Sequence, residues 1–124
     1  MTFSSFPRGY FTIMGDSPAR SAAELEQAGA AAVGANCMLT SEQMVGCVAA
    51  LRAATGLPVI AQANAGQPVA GPDGTVGYPQ PIEEYVRFVP ELVKAGAGFV
   101  GGCCGTNPDH IRAMARVIRR EEGA

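Results

Sequence analysis

Residues 98–111 read GFVGGCCGTNPDHI, and the order of residue types in this stretch decides the fold. Residues 98–102 form a short apolar run of the length of a buried strand. Cys103 and Cys104 follow at once, and Asn107 then supplies an N-cap with Pro108 at the first helical position, the combination that opens a helix. Ile111, Met114, Ala115 and Ile118 recur behind it at helical spacing, which places them on an inward face.

The same succession of apolar run, loop and helical pattern recurs upstream, about four times in all. A first strand is expected at residues 2–4, followed by a loop through Arg8, Gly9, Gly15 and Asp16. Ser17 and Pro18 then start a helix that carries Leu25 on its inner face and stops at Gly29. The second strand spans residues 31–35 and runs out at Asn36 and Cys37, and Thr40 with Gln43 forms a capping-box pair ahead of Met44, Val45, Val48 and Leu51. The third covers residues 58–63 and ends at Asn64. Its loop, residues 65–80, is the longest and richest in Gly and Pro, a length that points to function. Ile82, Tyr85, Val86, Val89 and Val93 mark one further helix, which Pro90 should kink or split.

These four βα units make an α/β fold, a parallel sheet with helices outside, either a small doubly wound sheet or part of a barrel. A complete eight-unit barrel needs roughly 250 residues, and this chain has 124. With 48% hydrophobic residues, 16% charged residues and a net charge of −2, it reads as one globular domain, residues 1–124. No basic stripe suits a nucleic acid, and no apolar run approaches membrane length. The start carries no export signal, so the cytoplasm is the expected compartment, where four cysteines should stay reduced and serve metal or thiol chemistry rather than a disulfide framework.

Cys37, Asn64, Cys103 and Cys104 all fall at the C-terminal ends of expected parallel strands, the edge where such folds build their sites. They can therefore converge. Three thiolates suit Zn2+, and three protein ligands leave one tetrahedral position open to a substrate thiol. Cys103 and Cys104 can share one metal only if the chain turns sharply, which Gly101, Gly102 and Gly105 permit. The helix that starts at Asn107 favours their ionised forms. The alternative is a pair of small buried residues at a tight turn. Cys47 sits mid-helix and reads as packing. His110 is either a hydrogen-bonding neighbour of the sulfurs or a solvated helix residue, and Asp16, Glu42 and Asp73 read as solvated or capping. A phosphate site at GGCCGT competes, but its spacing matches neither GxGxxG nor GxxxxGK[ST].

VGANC at 33–37, NAG at 64–66, GGCCGTNPDHI at 101–111 and, more weakly, MGDSP at 14–18 together resemble the homocysteine S-methyltransferase family, a zinc-dependent homocysteine-binding domain. The resemblance implies the C-terminal half of a (β/α)8 TIM-type barrel. It implies Cys37, Cys103 and Cys104 as zinc ligands and Asn64 as the fourth ligand when substrate is absent. Asn36, beside the metal, would orient the substrate or its ligand loop. The implied chemistry is methyl transfer to homocysteine or a related thiol, giving methionine, from a small methylated compound or a cobalamin-bearing protein. The family's first half, which holds the amino-acid end of homocysteine, has no counterpart in these residues. A half-barrel exposes strand edges and an apolar sheet face, so a separate N-terminal half-barrel chain or a second copy should cover them. The rival reading is a non-catalytic zinc-binding or partner-binding module.

Overall fold

The computed structural model describes residues 1–123. Its elements run β1 (Ser4–Phe6), β2 (Gly9–Phe11), α1 (Pro18–Gln27), β3 (Val33–Thr40), α2 (Ser41–Ala54), β4 (Val59–Asn64), β5 (Val69–Ala70), β6 (Val76–Gly77), α3 (Ile82–Arg87), α4 (Val89–Ala95), β7 (Ala97–Gly102) and α5 (Pro108–Glu122). Strands β3, β4 and β7 form a three-stranded parallel sheet in that order.

This corrects the expectation of four parallel strands. Residues 2–4 do not form a first sheet strand; Ser4–Phe6 pairs antiparallel with Gly9–Phe11 in a hairpin. The turn is made possible by Gly9, whose φ of 129° no side chain readily adopts, and the rings of Phe6 and Phe11 meet across the ribbon at 6.2 Å. Met1 bonds to the sheet edge instead, its amino group donating to Gly34 O and its carbonyl accepting from Asn36 N, each at 2.9 Å.

The helix starts follow local chemistry. Ser17 caps α1 with Pro18 at its first turn, Thr40 and Gln43 close a capping box on α2, and Asn107 caps α5. Pro90 divides the expected single helix, because its ring and missing N–H break the ladder at Phe88 and leave α3 and α4. Gly96, left-handed at φ 116°, ends α4 and turns the chain into β7.

One face of the sheet is covered. Val33 and Ala35 of β3, Val59 and Ala61 of β4 and Ala97 of β7 are buried together with Met44, Cys47, Val48 and Leu51 of α2, Leu92 of α4 and Met114 of α5. Truncating one of the larger of these side chains to Ala should cost about 2–5 kcal/mol. Leu25 and Ile111, expected to face inward, are instead 36% and 50% exposed. On the other face, Ile60 and Gln62 stand beside Phe99, which is 59% exposed. Residues 65–80 are less irregular than expected, since they contain the β5–β6 ribbon. Its turn is closed by Asp73, whose carboxylate accepts from Thr75 N at 3.2 Å and Thr75 Oγ1 at 2.6 Å.

Candidate metal centre

The site forms where three chain segments leave the C-terminal edge of the sheet. On β3, Asn36 pairs with Gln62 but the next pair is Thr40 with Asn64, so the strand carries extra residues against β4. Cys37 and Met38 occupy this bulge, both left-handed at φ 60° and 59°. For residues with a Cβ this conformation costs roughly 1–2 kcal/mol each. The bulge takes Cys37 out of the strand's regular alternation.

On the opposite side, Cys103 N donates to Ala63 O at 2.9 Å and Ala65 N donates to Cys104 O at 3.0 Å, bracketing Asn64. Residues 103–106 then form a tight turn. Thr106 N and Thr106 Oγ1 donate to Cys103 O at 3.1 and 2.7 Å, and Gly105 has φ 83°. This is the sharp reversal that lets adjacent cysteines reach one point.

The sulfurs of Cys37, Cys103 and Cys104 lie within 4.8 Å of one another. Cys37 and Cys104 are 3.8 Å apart, and a tetrahedral site with Zn–S near 2.3 Å would separate its sulfurs by about 3.8 Å. Cys37 and Cys103 are joined as a disulfide, with Cα atoms 5.5 Å apart, while Cys104 is a free, exposed thiol. The expectation that all four cysteines are unpaired is therefore corrected for this pair. The reason is geometric: side chains placed to share one small ion are also close enough to bond to each other. Holding a metal through all three sulfurs requires the reduced pair.

Asn64 is 4% exposed, and its Oδ1 has no hydrogen-bond partner among the described residues. An orphaned buried amide oxygen costs about 1–3 kcal/mol. Asn64 stands at the end of the central strand, between the backbone bonds that Ala63 and Ala65 make to Cys103 and Cys104. Three sulfurs and one neutral oxygen are a donor set that fits Zn2+.

The remaining expected residues lie elsewhere. Asn36 lines a shallow groove on the open sheet face with Gly34, Ile60 and Gln62. His110 is buried, not solvated; its Nδ1 accepts from Asn107 N at 3.2 Å to complete the α5 capping box, and its ring stands edge-on to Tyr85 at 5.4 Å. Cys47 is fully buried in the core, where loss of solvent pushes its thiol up to about 12.

Two tyrosines escaped the sequence reading. Tyr85 was legible only as an apolar helix position, yet its hydroxyl lies 3.0 Å from both Ala63 O and Gly101 O, tying β4 to β7 just below the sulfurs. Burial pushes its phenol up to about 12. Tyr78 lies in the long loop, with its Cβ and Cγ packed over Gly105, the residue after Cys104. The one signal for it was a polar-tipped aromatic in the segment whose length already pointed to function.

The family model for homocysteine S-methyltransferase matches residues 1–118. Methionine synthase of Mycobacterium leprae is 33% identical over 108 residues, a match covering 87% of this chain and 9% of that protein. Homocysteine S-methyltransferase 4 of Zea mays is 32% identical over 99 residues, covering 73% of this chain and 27% of that one. Among solved structures, the metallated form of the homocysteine methyltransferase MmuM from Escherichia coli superposes with a TM-score of 0.62 at 28% identity, over 82% of this chain and 30% of that one. The chain thus spans less than a third of the length of each of these relatives.

Proposed function

Because the chain belongs to the homocysteine S-methyltransferase family, we propose that it is the thiol-activating part of a zinc-dependent methyltransferase, acting on homocysteine or a related thiol to give methionine. The observation that carries this reading is the convergence of the Cys37, Cys103 and Cys104 sulfurs within 4.8 Å at the end of a parallel sheet. These three residues would hold Zn2+ as thiolates. When bound, Zn2+ supplies positive charge that lowers the pKa of a thiol in the open position, so that the thiol is ionised at neutral pH.

The protein's own groups prepare that step. Asn64 Oδ1 would keep the fourth position until a thiol displaces it, a neutral donor being easier to remove than a fourth thiolate. Asn36, on the open sheet face and next to Cys37 in the chain, would orient the substrate or the Cys37 segment, and His110 would act indirectly by holding the start of α5.

The methyl donor, a small methylated compound or a cobalamin-bearing protein, and the amino-acid end of the acceptor would be held outside these residues. We assign the chain as one half-barrel domain whose sheet is completed by an N-terminal half-barrel chain or by a second copy. The open edge of β7 and the exposed Phe99 support this completion. The alternative is a zinc-binding or partner-binding module without catalysis.

Zinc content of reduced protein tests the metal claim. About one ion per chain is expected in the wild type, with a large loss in Cys104→Ser. A wild-type value near zero rejects the site. Methyl transfer is then assayed with and without a separately expressed N-terminal half, and zinc retention with no transfer in either arrangement establishes the module instead.

A further inference from the structure

Residues 65–67 bridge the two segments that carry the sulfurs. Ala65 N donates to Cys104 O at 3.0 Å, and two residues later the Gln67 side chain reaches the other segment, where its Nε2 donates to Met38 O at 2.9 Å. Gly66 makes the step between them, left-handed at φ 90°, with Gln80 packed where a side chain would stand. The same Nε2 donates to Gln43 Oε1 at 3.2 Å, and that oxygen also accepts from Thr40 N in the capping box of α2. Both partners are acceptors, so the Gln67 amide presents its NH2 group, whose two hydrogens serve the two bonds. Cys37 and Met38 are the left-handed pair of the bulge, a conformation that residues with a Cβ leave unless their surroundings hold them in it.

We propose that Gln67 is a positioning residue of the sulfur centre, whose amide clamps the Cys37–Met38 bulge against the start of α2 and so keeps the Cys37 sulfur beside those of Cys103 and Cys104. This deepens the zinc reading above and rests on it for the use to which the sulfurs are put. The pairing of β3 with β4 passes from Asn36 to Thr40, and the Gln67 bond to Met38 O falls in that gap. Because Ala65 is fixed to Cys104 O, the clamp also sets the Cys37 segment relative to the turn that carries Cys103 and Cys104.

Gln67→Met removes the two N–H donors at an exposed position and keeps the length of the side chain. The variant and the unchanged residue are compared in a Cys104→Ser background without metal, which leaves Cys37 and Cys103 as the accessible pair while Cys47 stays buried. Each protein is equilibrated with glutathione. One glutathione disulfide takes two hydrogens from the Cys37 and Cys103 thiols and becomes two glutathione thiols, and the fraction of protein in the disulfide form is read after acid quenching. A side chain that only stabilises the fold supports both forms equally and leaves this equilibrium unchanged. Without a clamp, by contrast, the dithiol form relaxes out of the left-handed conformation while the disulfide form remains held. The equilibrium constant for disulfide formation should therefore fall about tenfold in Gln67→Met. With Cys104 restored, zinc affinity measured against a chelator should fall by about the same factor. An unchanged glutathione equilibrium overturns the clamp. A tenfold fall in a protein that takes up no zinc supports the clamp and overturns the metal reading instead.

Discussion

Two cysteines of the same chain meet opposite fates because of where their side chains lie. Cys104 is an exposed thiol at a helix start, whereas Cys47 is enclosed among apolar side chains that disfavour its anion. A brief treatment of folded, non-reduced protein with iodoacetamide near neutral pH should label Cys104 and spare Cys47. Peptide mapping that finds Cys47 labelled to the same extent would refute the placement. Burial also links this residue to pH. Its pKa rises from 9.0 to about 12, and that of Tyr85 from 10.0 to about 12, so the folded state keeps protons that the unfolded chain releases. The stability this represents is complete below the unfolded value and is lost as pH climbs from about 9 towards 12. Thermal melts should therefore show a falling Tm across that window, with a shallower fall in Cys47→Val. Equal slopes in the two proteins would remove Cys47 as a cause.

At the level of elements, the bulge at the end of β3 and the cap on α2 are one device. Cys37 and Met38 are held in left-handed conformations, and Thr40 immediately pairs with Asn64 and caps the next helix. The capping box anchors one side of the bulge, and the ladder through Asn36 anchors the other. Thr40→Ala removes the side-chain acceptor for Gln43 N and should lower the unfolding free energy by about 1 kcal/mol, read from urea denaturation. A loss below a few tenths of a kcal/mol would mean that the cap adds little. This box was legible in the sequence, as were the caps of α1 and α5 and the break at Pro90, because each depends on residue types within a few positions. The bulge was not. Neither Cys nor Met announces a left-handed backbone, and the extra residues become visible only against the register of β4.

For the molecule as a whole, the unequal faces of the sheet govern behaviour. Helices cover one face, while the other presents Ile60, Gln62 and an aromatic ring more than half exposed at Phe99. Such an exposed aromatic patch suits a protein surface, the occupant we propose for it. Light scattering on the purified chain should show association at micromolar concentration. Phe99→Asp should reduce it with little effect on Tm, since the ring contributes little to this chain's own core. A wild-type chain that stays monomeric and well folded would sink the completion proposal. Sequence by itself determined the α/β class, the approximate positions of β4 and β7, and the placement of Asn64, Cys103 and Cys104 at strand ends, whereas β3 runs from Val33 to Thr40 rather than over residues 31–35 and holds Cys37 in its bulge. Periodicity and capping are local properties, and they carry that much. Only the tertiary structure decided that residues 4–11 turn back as a hairpin, that Cys37 bonds to Cys103, that Tyr78 packs over Gly105 and that Tyr85 ties β4 to β7. Each of these depends on segments far apart in the chain meeting in one register, and no local pattern encodes that meeting.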